Sequence, residues 1–220
     1  GMLLGAILGS TDAASVFSIL RSKRLNLKGG TASLLEVESG SNDPFAYMMT
    51  VLLLSAMQGE GLSVQSILLT AGQQLVLGVL FGVLIGKLGI LLMRRFPFGT
   101  SGLDAACLLG LALLSYAVPT LLGGNGYLSA YLAGLLLGNA ELPGQRGLVH
   151  FFDAATGLMQ MLIFFLLGLL SFPSRLPQVL PIAIPVALFL TFAARPGAVF
   201  LLLSPFRCPV RQQLLVSWAG

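Results

Sequence analysis

Long apolar runs, separated by short polar or glycine-rich breaks, follow one another along the whole sequence. A helix that crosses a bilayer needs about 20 mainly apolar residues. Seven candidate spans can be drawn, and an eighth apolar run begins near the end of the chain. The seven are 2–20, 32–57, 65–93, 103–122, 126–139, 152–171 and 179–204, and the eighth run is 212–220. The pattern predicts an all-α fold, a polytopic bundle of membrane helices.

Glycine and proline interrupt two of these runs. The fifth run is short for a span and follows a glycine-rich break at residues 123–126, and the seventh contains Pro181, Pro185 and Pro196. Such residues are tolerated in membrane helices where neighbouring groups satisfy the freed backbone atoms. The fifth segment is therefore predicted to be tilted or part of a broken span, and the seventh to be kinked.

The composition agrees with a membrane protein. Of the 220 residues, 56% are hydrophobic and only 9% are charged, whereas a soluble domain carries about 25% charged residues. This excludes a soluble enzyme, a nucleic-acid binder, a disordered chain and a secreted disulfide scaffold. The net charge of +4 does not indicate nucleic acid, because the basic residues stand at the ends of apolar runs.

Basic residues occur at alternate ends of the predicted spans. The second and fourth loops contain no basic residue, and the sixth contains only Arg175. The first loop holds Arg21, Lys23, Arg24 and Lys28, and the third end holds Lys87, Arg94 and Arg95. The fifth loop holds Arg146 and His150, and the seventh holds Arg207 and Arg211. By the positive-inside rule the odd-numbered loops are predicted to face the cytoplasm. Since the chain starts and stops at apolar runs, we expect residues 1–220 to be the central part of a longer transmembrane domain.

Three charged side chains are predicted to lie at mid-membrane depth. Asp12 is nine residues before Arg21, Arg195 is twelve before Arg207, and Asp43 is near the middle of the second segment. Nine helical residues span roughly 14 Å, about half of the hydrocarbon core. Charges at this depth are costly and usually functional.

The neighbours of the two aspartates offer oxygen ligands. Asp12 lies among small and hydroxyl residues, which favour an unwound helix. Ser39 precedes Asp43 by four residues and shares its helix face, and Pro44 removes a backbone donor and frees a carbonyl. Carboxylates, hydroxyls and carbonyls suit Na⁺ or K⁺, and transporters build such sites from discontinuous helices at the midplane.

Several motifs carry a family resemblance over essentially the whole chain. They are Ser10-Thr11-Asp12-Ala13-Ala14, Leu35-Glu36-Val37-Glu38-Ser39-Gly40-Ser41-Asn42-Asp43-Pro44, Ala130-Tyr131-Leu132-Ala133-Gly134, Phe192-Ala193-Ala194-Arg195-Pro196 and Val216-Ser217-Trp218-Ala219-Gly220. Together they resemble the monovalent cation:proton antiporter-1 family, and within it bacterial potassium/proton antiporters of the NhaP type. The resemblance implies a partial sodium/proton antiporter-like fold with discontinuous helices at mid-membrane. It also implies further helices on both flanks, one of which carries another acidic ligand.

The resemblance assigns the ion site residue by residue. Asp43 matches the aspartate that binds the cation and the proton in turn, and Asp12 matches the aspartate of the unwound helix. Thr11 would contribute a backbone carbonyl and Ser39 a hydroxyl. Asn42 stands where electrogenic relatives have the first aspartate of an Asp-Asp pair, which implies electroneutral one-for-one exchange.

Glu38 and Arg195 match a buried structural ion pair of the family. The pairing agrees with physical expectation, because an arginine without a counter-charge at this depth would be very costly.

The sequence thus predicts a secondary transporter that exchanges K⁺ or Na⁺ for H⁺ by competition at Asp43. It is expected to be no enzyme, to use no cofactor and to bind no nucleic acid. Its expected environment is the lipid bilayer of a bacterial inner (cytoplasmic) membrane, with the full-length parent a homodimer.

Two alternatives remain open from the residues alone. Asp12 and Asp43 could form an intramembrane aspartyl hydrolase, although no Gly-x-Gly-Asp run surrounds either residue, and the single histidine, His150, is placed at the surface. A cation channel is the other alternative, although no repeated filter loop is visible.

Overall fold

The computed structural model describes residues 1–10, 31–57, 63–96, 101–206 and 208–219. These residues are helical almost throughout and contain no strand. The α-helices are α1 Met2–Leu8, α2 Thr31–Met57, α3 Val64–Arg95, α4 Ser101–Leu121, α5 Gly126–Asn139, α6 Gln145–Leu170, α7 Leu176–Phe189, α8 Arg195–Leu203 and α9 Val210–Ala219. The all-α class predicted from the apolar runs is confirmed.

The ends of α3 and α5 are set by local side-chain chemistry. Ser63 caps α3 and accepts a hydrogen bond from the Ser66 backbone N–H at 3.2 Å. Asn125 caps α5 and accepts from the Leu128 N–H at 3.0 Å. Such caps satisfy one of the backbone donors that every helix start leaves free. The short segment 126–139 is therefore a capped helix in its own right.

Four helical stretches of the described chain are long and apolar enough to cross a membrane by length and composition: Gln65–Arg95, Gly102–Leu121, Gln145–Leu170 and Pro173–Phe206. Apolar side chains along α6 stand exposed, as expected of a helix surrounded by lipid. The chain is a multi-pass integral membrane protein; its division into seven spans and part of an eighth stays a prediction.

The last long stretch is a composite helix. A 3₁₀ turn at Pro173–Arg175 leads into α7, and a π-helical turn at Leu190–Ala194 joins α7 to α8. Pro181 and Pro185 lie inside α7, which stays α-helical. The change of helix type falls directly before Arg195 and Pro196, where the Arg195 N–H donates to the Leu190 carbonyl. Such π turns are frequent at functional positions.

The chain divides into two compact units. The first comprises Gly1–Thr11 and Gly40–Leu158, and the second comprises Asp12–Ser39 and Met159–Gly220. The boundaries fall within α2 and within α6.

Glycines bring α3 and α5 into close contact in the first unit. A Cβ at Gly82 would lie 2.8 Å from the Ser129 carbonyl oxygen, and one at Gly86 would lie 3.2 Å from the Ala133 Cα. The distance at Gly82 is shorter than real Cβ contacts, so this approach requires glycine, and the distance at Gly86 is shorter than most of them. Small residues serve the same purpose in membrane helix pairs generally.

The rest of the first unit packs around α4 and α5. The Ser115 and Ser129 hydroxyls lie 3.0 Å apart in the fully buried contact between these two helices. At the other end of α4 an apolar cluster forms from Met93, Ala105, Leu108, Leu142 and Leu148.

The second unit has a separate small core. Leu35 of α2, Val199 of α8 and Val216 of α9 are buried against one another. The rings of Phe192 and Trp218 meet edge to face with centroids 5.7 Å apart. These contacts hold the first half of α2 against α8 and α9.

Candidate functional site

Asp43 lies in the middle of α2 and carries the first contact of the candidate site. Its Oδ1 accepts a hydrogen bond from the hydroxyl of Ser10, which lies two residues after the end of α1 and belongs to the same unit. Ser10 was not predicted as a site residue. Its position beside Thr11 and Asp12 in a hydroxyl-rich run is the signal that could have indicated it.

Of the other predicted ion-site residues, the structure describes Ser39 and Asn42. Thr11 and Asp12 lie outside the described residues. Ser39 is buried, with 3% of its surface exposed, and precedes Asp43 by four residues in α2. Asn42, half-buried, directly precedes Asp43. The assignment of these residues to one ion site remains a prediction.

A buried amide contacts α2 immediately after Asp43. The Asn125 Nδ2 donates to the carbonyl oxygen of Pro44 over 2.9 Å, and Asn125 is only 1% exposed. Sequence reasoning missed this residue, because the Gly-Gly-Asn-Gly run around it indicated only a break between helices. An asparagine among glycines at a predicted helix start is the signal that was present.

Aromatic rings line the same part of α2. Gly40 faces the ring of Tyr131 so closely that a Cβ there would overlap it. Tyr47, one turn after Asp43, meets Tyr127 with ring centroids 4.6 Å apart, and Tyr127 meets Tyr116 at 5.0 Å. The helix that carries Asp43 thus meets Tyr127 and Tyr131 of α5, and Tyr116 of α4 packs against Tyr127.

Glu38 and Arg195 come together in the second unit. Arg195 Nη2 lies 3.1 Å from Glu38 Oε1, and the side chains of Arg195 and Glu38 are 23% and 32% exposed, respectively. The π turn before α8 places Arg195 at the start of that helix. A charge-assisted hydrogen bond of this length joins α2 to α8.

The chemistry available around Asp43 is that of hard oxygen ligands. The Asp43 carboxylate, the Ser10 hydroxyl and the Pro44 carbonyl are oxygen groups of described residues. Within the part of the chain that the structure describes, no cluster of three His, Cys, Asp or Glu side chains could hold a metal ion. His150 is exposed on α6, so it provides no buried base for a hydrolase.

Comparison with known proteins identifies the relationship. A family model described as "Sodium/hydrogen exchanger, transmembrane" matches residues 1–220. A K(+)/H(+) antiporter NhaP from Alkalimonas amylolytica is 41% identical over 223 residues, and a K(+)/H(+) antiporter NhaP2 from Shewanella oneidensis is 40% identical; the match covers 100% of this chain and 38% of either relative. A probable Na(+)/H(+) antiporter 2 from Methanocaldococcus jannaschii is 28% identical, with 54% of its length covered.

The chain therefore spans about two fifths of the length of the NhaP relatives that it matches.

Proposed function

The chain belongs to the sodium/hydrogen exchanger family, and on this premise we propose that the protein exchanges a monovalent cation, K⁺ or Na⁺, for a proton across the membrane. The observation that carries the proposal is the carboxylate of Asp43 in α2, hydrogen-bonded by the Ser10 hydroxyl. Membership of an exchanger family supports exchange over an intramembrane hydrolase or a channel. The named relatives are antiporters, and the proposed cycle requires no cofactor.

Asp43 is the residue at which cation and proton compete. Asp12, Ser39 and the Thr11 carbonyl complete the cation site. Two observations support this set: Ser39 is buried one turn before Asp43, and the residue that precedes Thr11 contacts Asp43. Oxygen ligands from helix interruptions are how transporters of this kind hold Na⁺.

The exchange follows from the two forms of one carboxylate. When the site faces a compartment of low pH, Asp43 takes a proton; when it faces a compartment rich in cations and poor in protons, it releases the proton and takes a cation. Asn42 carries no charge in either state, so one positive charge leaves for each that enters. The cycle is therefore electroneutral, with a stoichiometry of one to one.

Glu38 and Arg195 act as a structural pair. Their contact at 3.1 Å neutralises an arginine in the predicted membrane segment, where a charge without a partner is expensive. The pair supports α2 from the side of α8 and binds no cation.

The environment follows from the relatives. Two of the antiporters named above come from bacteria, and we place the protein in the bacterial cytoplasmic membrane, as part of a homodimer of the longer chain.

The proposal is tested with the intact protein in proteoliposomes that have an acidic lumen and enclose a pH-sensitive dye. Addition of K⁺ or Na⁺ outside should raise the luminal pH, whereas choline should not. Clamping the membrane potential at different values should leave the rate unchanged. A protein that shows no cation-dependent change of luminal pH would not be an antiporter, and a rate that follows the potential would reject the one-to-one stoichiometry.

A further inference from the structure

Asn125 occupies the corner between α4 and α5 and uses both ends of its side chain. Its Oδ1 accepts from the Leu128 N–H at 3.0 Å, and its Nδ2 donates to the Pro44 carbonyl at 2.9 Å. Its backbone N–H donates to the Gln74 carbonyl at 3.0 Å, and its own carbonyl accepts from the Ser129 N–H at 3.1 Å. One buried residue thus ties α2, α3 and α5 together.

The orientation of the Asn125 amide is determined by these neighbours. With nitrogen and oxygen exchanged, the Oδ1 would face the Pro44 carbonyl and the NH₂ group would face the Leu128 N–H, so both contacts would be repulsive. The side chain must therefore donate to α2 and accept from α5. A serine could still cap α5, but it is too short to reach Pro44.

The backbone on both sides of Asn125 lies close to neighbouring helices. A Cβ at Gly124 would lie 2.6 Å from the Leu77 Cβ, and a Cβ at Gly126 would overlap the Thr120 hydroxyl and the Tyr116 carbonyl. On the opposite side, a Cβ at Gly78 would lie 2.9 Å from the Asn125 carbonyl oxygen. Glycines at these positions allow three helices to close on the asparagine.

The hydrogen bond from Asn125 reaches α2 at Pro44, the proline inside that helix. Pro44 has no N–H, so it cannot donate to the carbonyl one turn earlier. The Pro44 carbonyl belongs to the peptide bond between Pro44 and Phe45, one residue beyond Asp43, and it accepts a hydrogen bond from the Asn125 Nδ2 of another helix cap. On the other side Asp43 accepts from Ser10.

We propose that Asn125 is a positioning residue for the cation site: its hydrogen bond to Pro44 fixes α2 beside Asp43 and thereby holds the carboxylate in place for the cation. This inference rests on the proposed exchange function. Asn125 touches neither cation nor proton; it acts through the backbone that carries Asp43.

The test is the cation dependence of exchange by the intact protein in proteoliposomes. Asn125→Ser keeps an oxygen that can cap α5, because serine and asparagine cap helices about equally well, and removes the donor to Pro44. Loss of one buried hydrogen bond to the site should raise the apparent KM for the cation about tenfold. The maximal rate should stay within about twofold, since the proton-binding carboxylate is unchanged.

Asn139→Ser is the matched control. The Asn139 Nδ2 also donates to a helix carbonyl, that of Leu135 at 2.8 Å, but at the exposed far end of the same helix α5. The KM of Asn139→Ser should equal that of the wild-type protein.

If Asn125→Ser does not accumulate, the variant to measure is Asn125→Asp. An aspartate has the shape and the capping oxygen of asparagine, but it has no donor when it is ionised. Its KM is measured at alkaline pH, where protons do not compete with the cation. A raised KM supports the proposal.

The outcomes separate the two proposals. Wild-type exchange with an unchanged KM in the position-125 variant overturns the positioning role alone, as does a changed maximal rate at constant KM. Absence of cation-dependent exchange by the wild-type protein overturns the exchange function and the positioning role together.

Discussion

At the residue scale, polar contacts between distant residues give the candidate site its form. Ser10 and Asp43 are 33 positions apart, and Asn125 and Pro44 are 81 positions apart. The first contact places a hydrogen-bond donor on the carboxylate of Asp43, and the second places one on the backbone of the helix that carries Asp43. Because charged residues are few in this chain, we expect such contacts to determine where the proposed cation site forms.

The pair of Glu38 and Arg195 is open to a direct stability measurement. Arg195→Ala removes one partner and leaves the glutamate charge without it, so the detergent-solubilised protein should lose about 2 kcal/mol, as for a hydrogen bond between charged groups. The melting temperature measures this loss. Arg175→Ala, which removes only a cation–π contact of 5.6 Å with Phe172, is the control and should melt close to the wild type.

Exchange of the two charges provides the complementary result. The double variant Glu38→Arg with Arg195→Glu should recover part of the lost melting temperature, because the pair is restored in reverse. Equal melting temperatures for wild type and Arg195→Ala would show that the 3.1 Å contact contributes nothing to stability.

At the element scale, apolar runs predict helices well and predict their packing poorly. Helix α5 has the bounds of the predicted short segment, because the breaks on both sides of this 14-residue apolar run determine where the helix can begin and end. The glycines of α3 gave no indication of which helix they face. Only the folded unit shows that Gly82 faces α5, which lies so close that a larger residue at this position would overlap Ser129.

The glycine contacts predict opposite effects for two substitutions in α3. Gly82→Ala places a methyl group 2.8 Å from the Ser129 carbonyl oxygen and 3.0 Å from its Cα, and overpacking of this kind costs about 1–3 kcal/mol. Gly72→Ala meets no atom within 4 Å and should be neutral or stabilise by up to about 1 kcal/mol, because alanine favours helix. Thermal unfolding of the two variants should separate them clearly. Equal melting temperatures would contradict the close approach of α3 and α5.

At the scale of the whole molecule, composition and hydrophobic pattern predicted the fold class, and the family resemblance assigned the residues of the candidate site. The low content of charged residues and the helical runs predicted a membrane bundle, which the structure bears out. The proximity of Ser10 to Asp43 and of Asn125 to Pro44 could not be predicted, because neither contact follows from helix periodicity. Both depend on how helices distant in sequence pack.

The basic residues of alternate loops predict the orientation of the molecule in the membrane. In a protein whose Cys107 and Cys208 are replaced by serine, a cysteine at Leu121, which is 86% exposed before the fourth loop, should react with an impermeant thiol reagent in intact cells. A cysteine at the exposed Glu141, in the fifth loop, should react only after the membrane is opened. The reverse labelling pattern would invert the predicted topology.

The most direct test of the account compares Asp43→Asn with Asp153→Asn in the intact protein, reconstituted as above. Asp153 is an exposed aspartate of α6, so its substitution changes the same chemical group away from the candidate site. Cation-dependent change of the luminal pH should disappear in Asp43→Asn, because an amide can neither take a proton nor neutralise a cation, and should persist in Asp153→Asn. Exchange at the wild-type rate in Asp43→Asn would contradict the account.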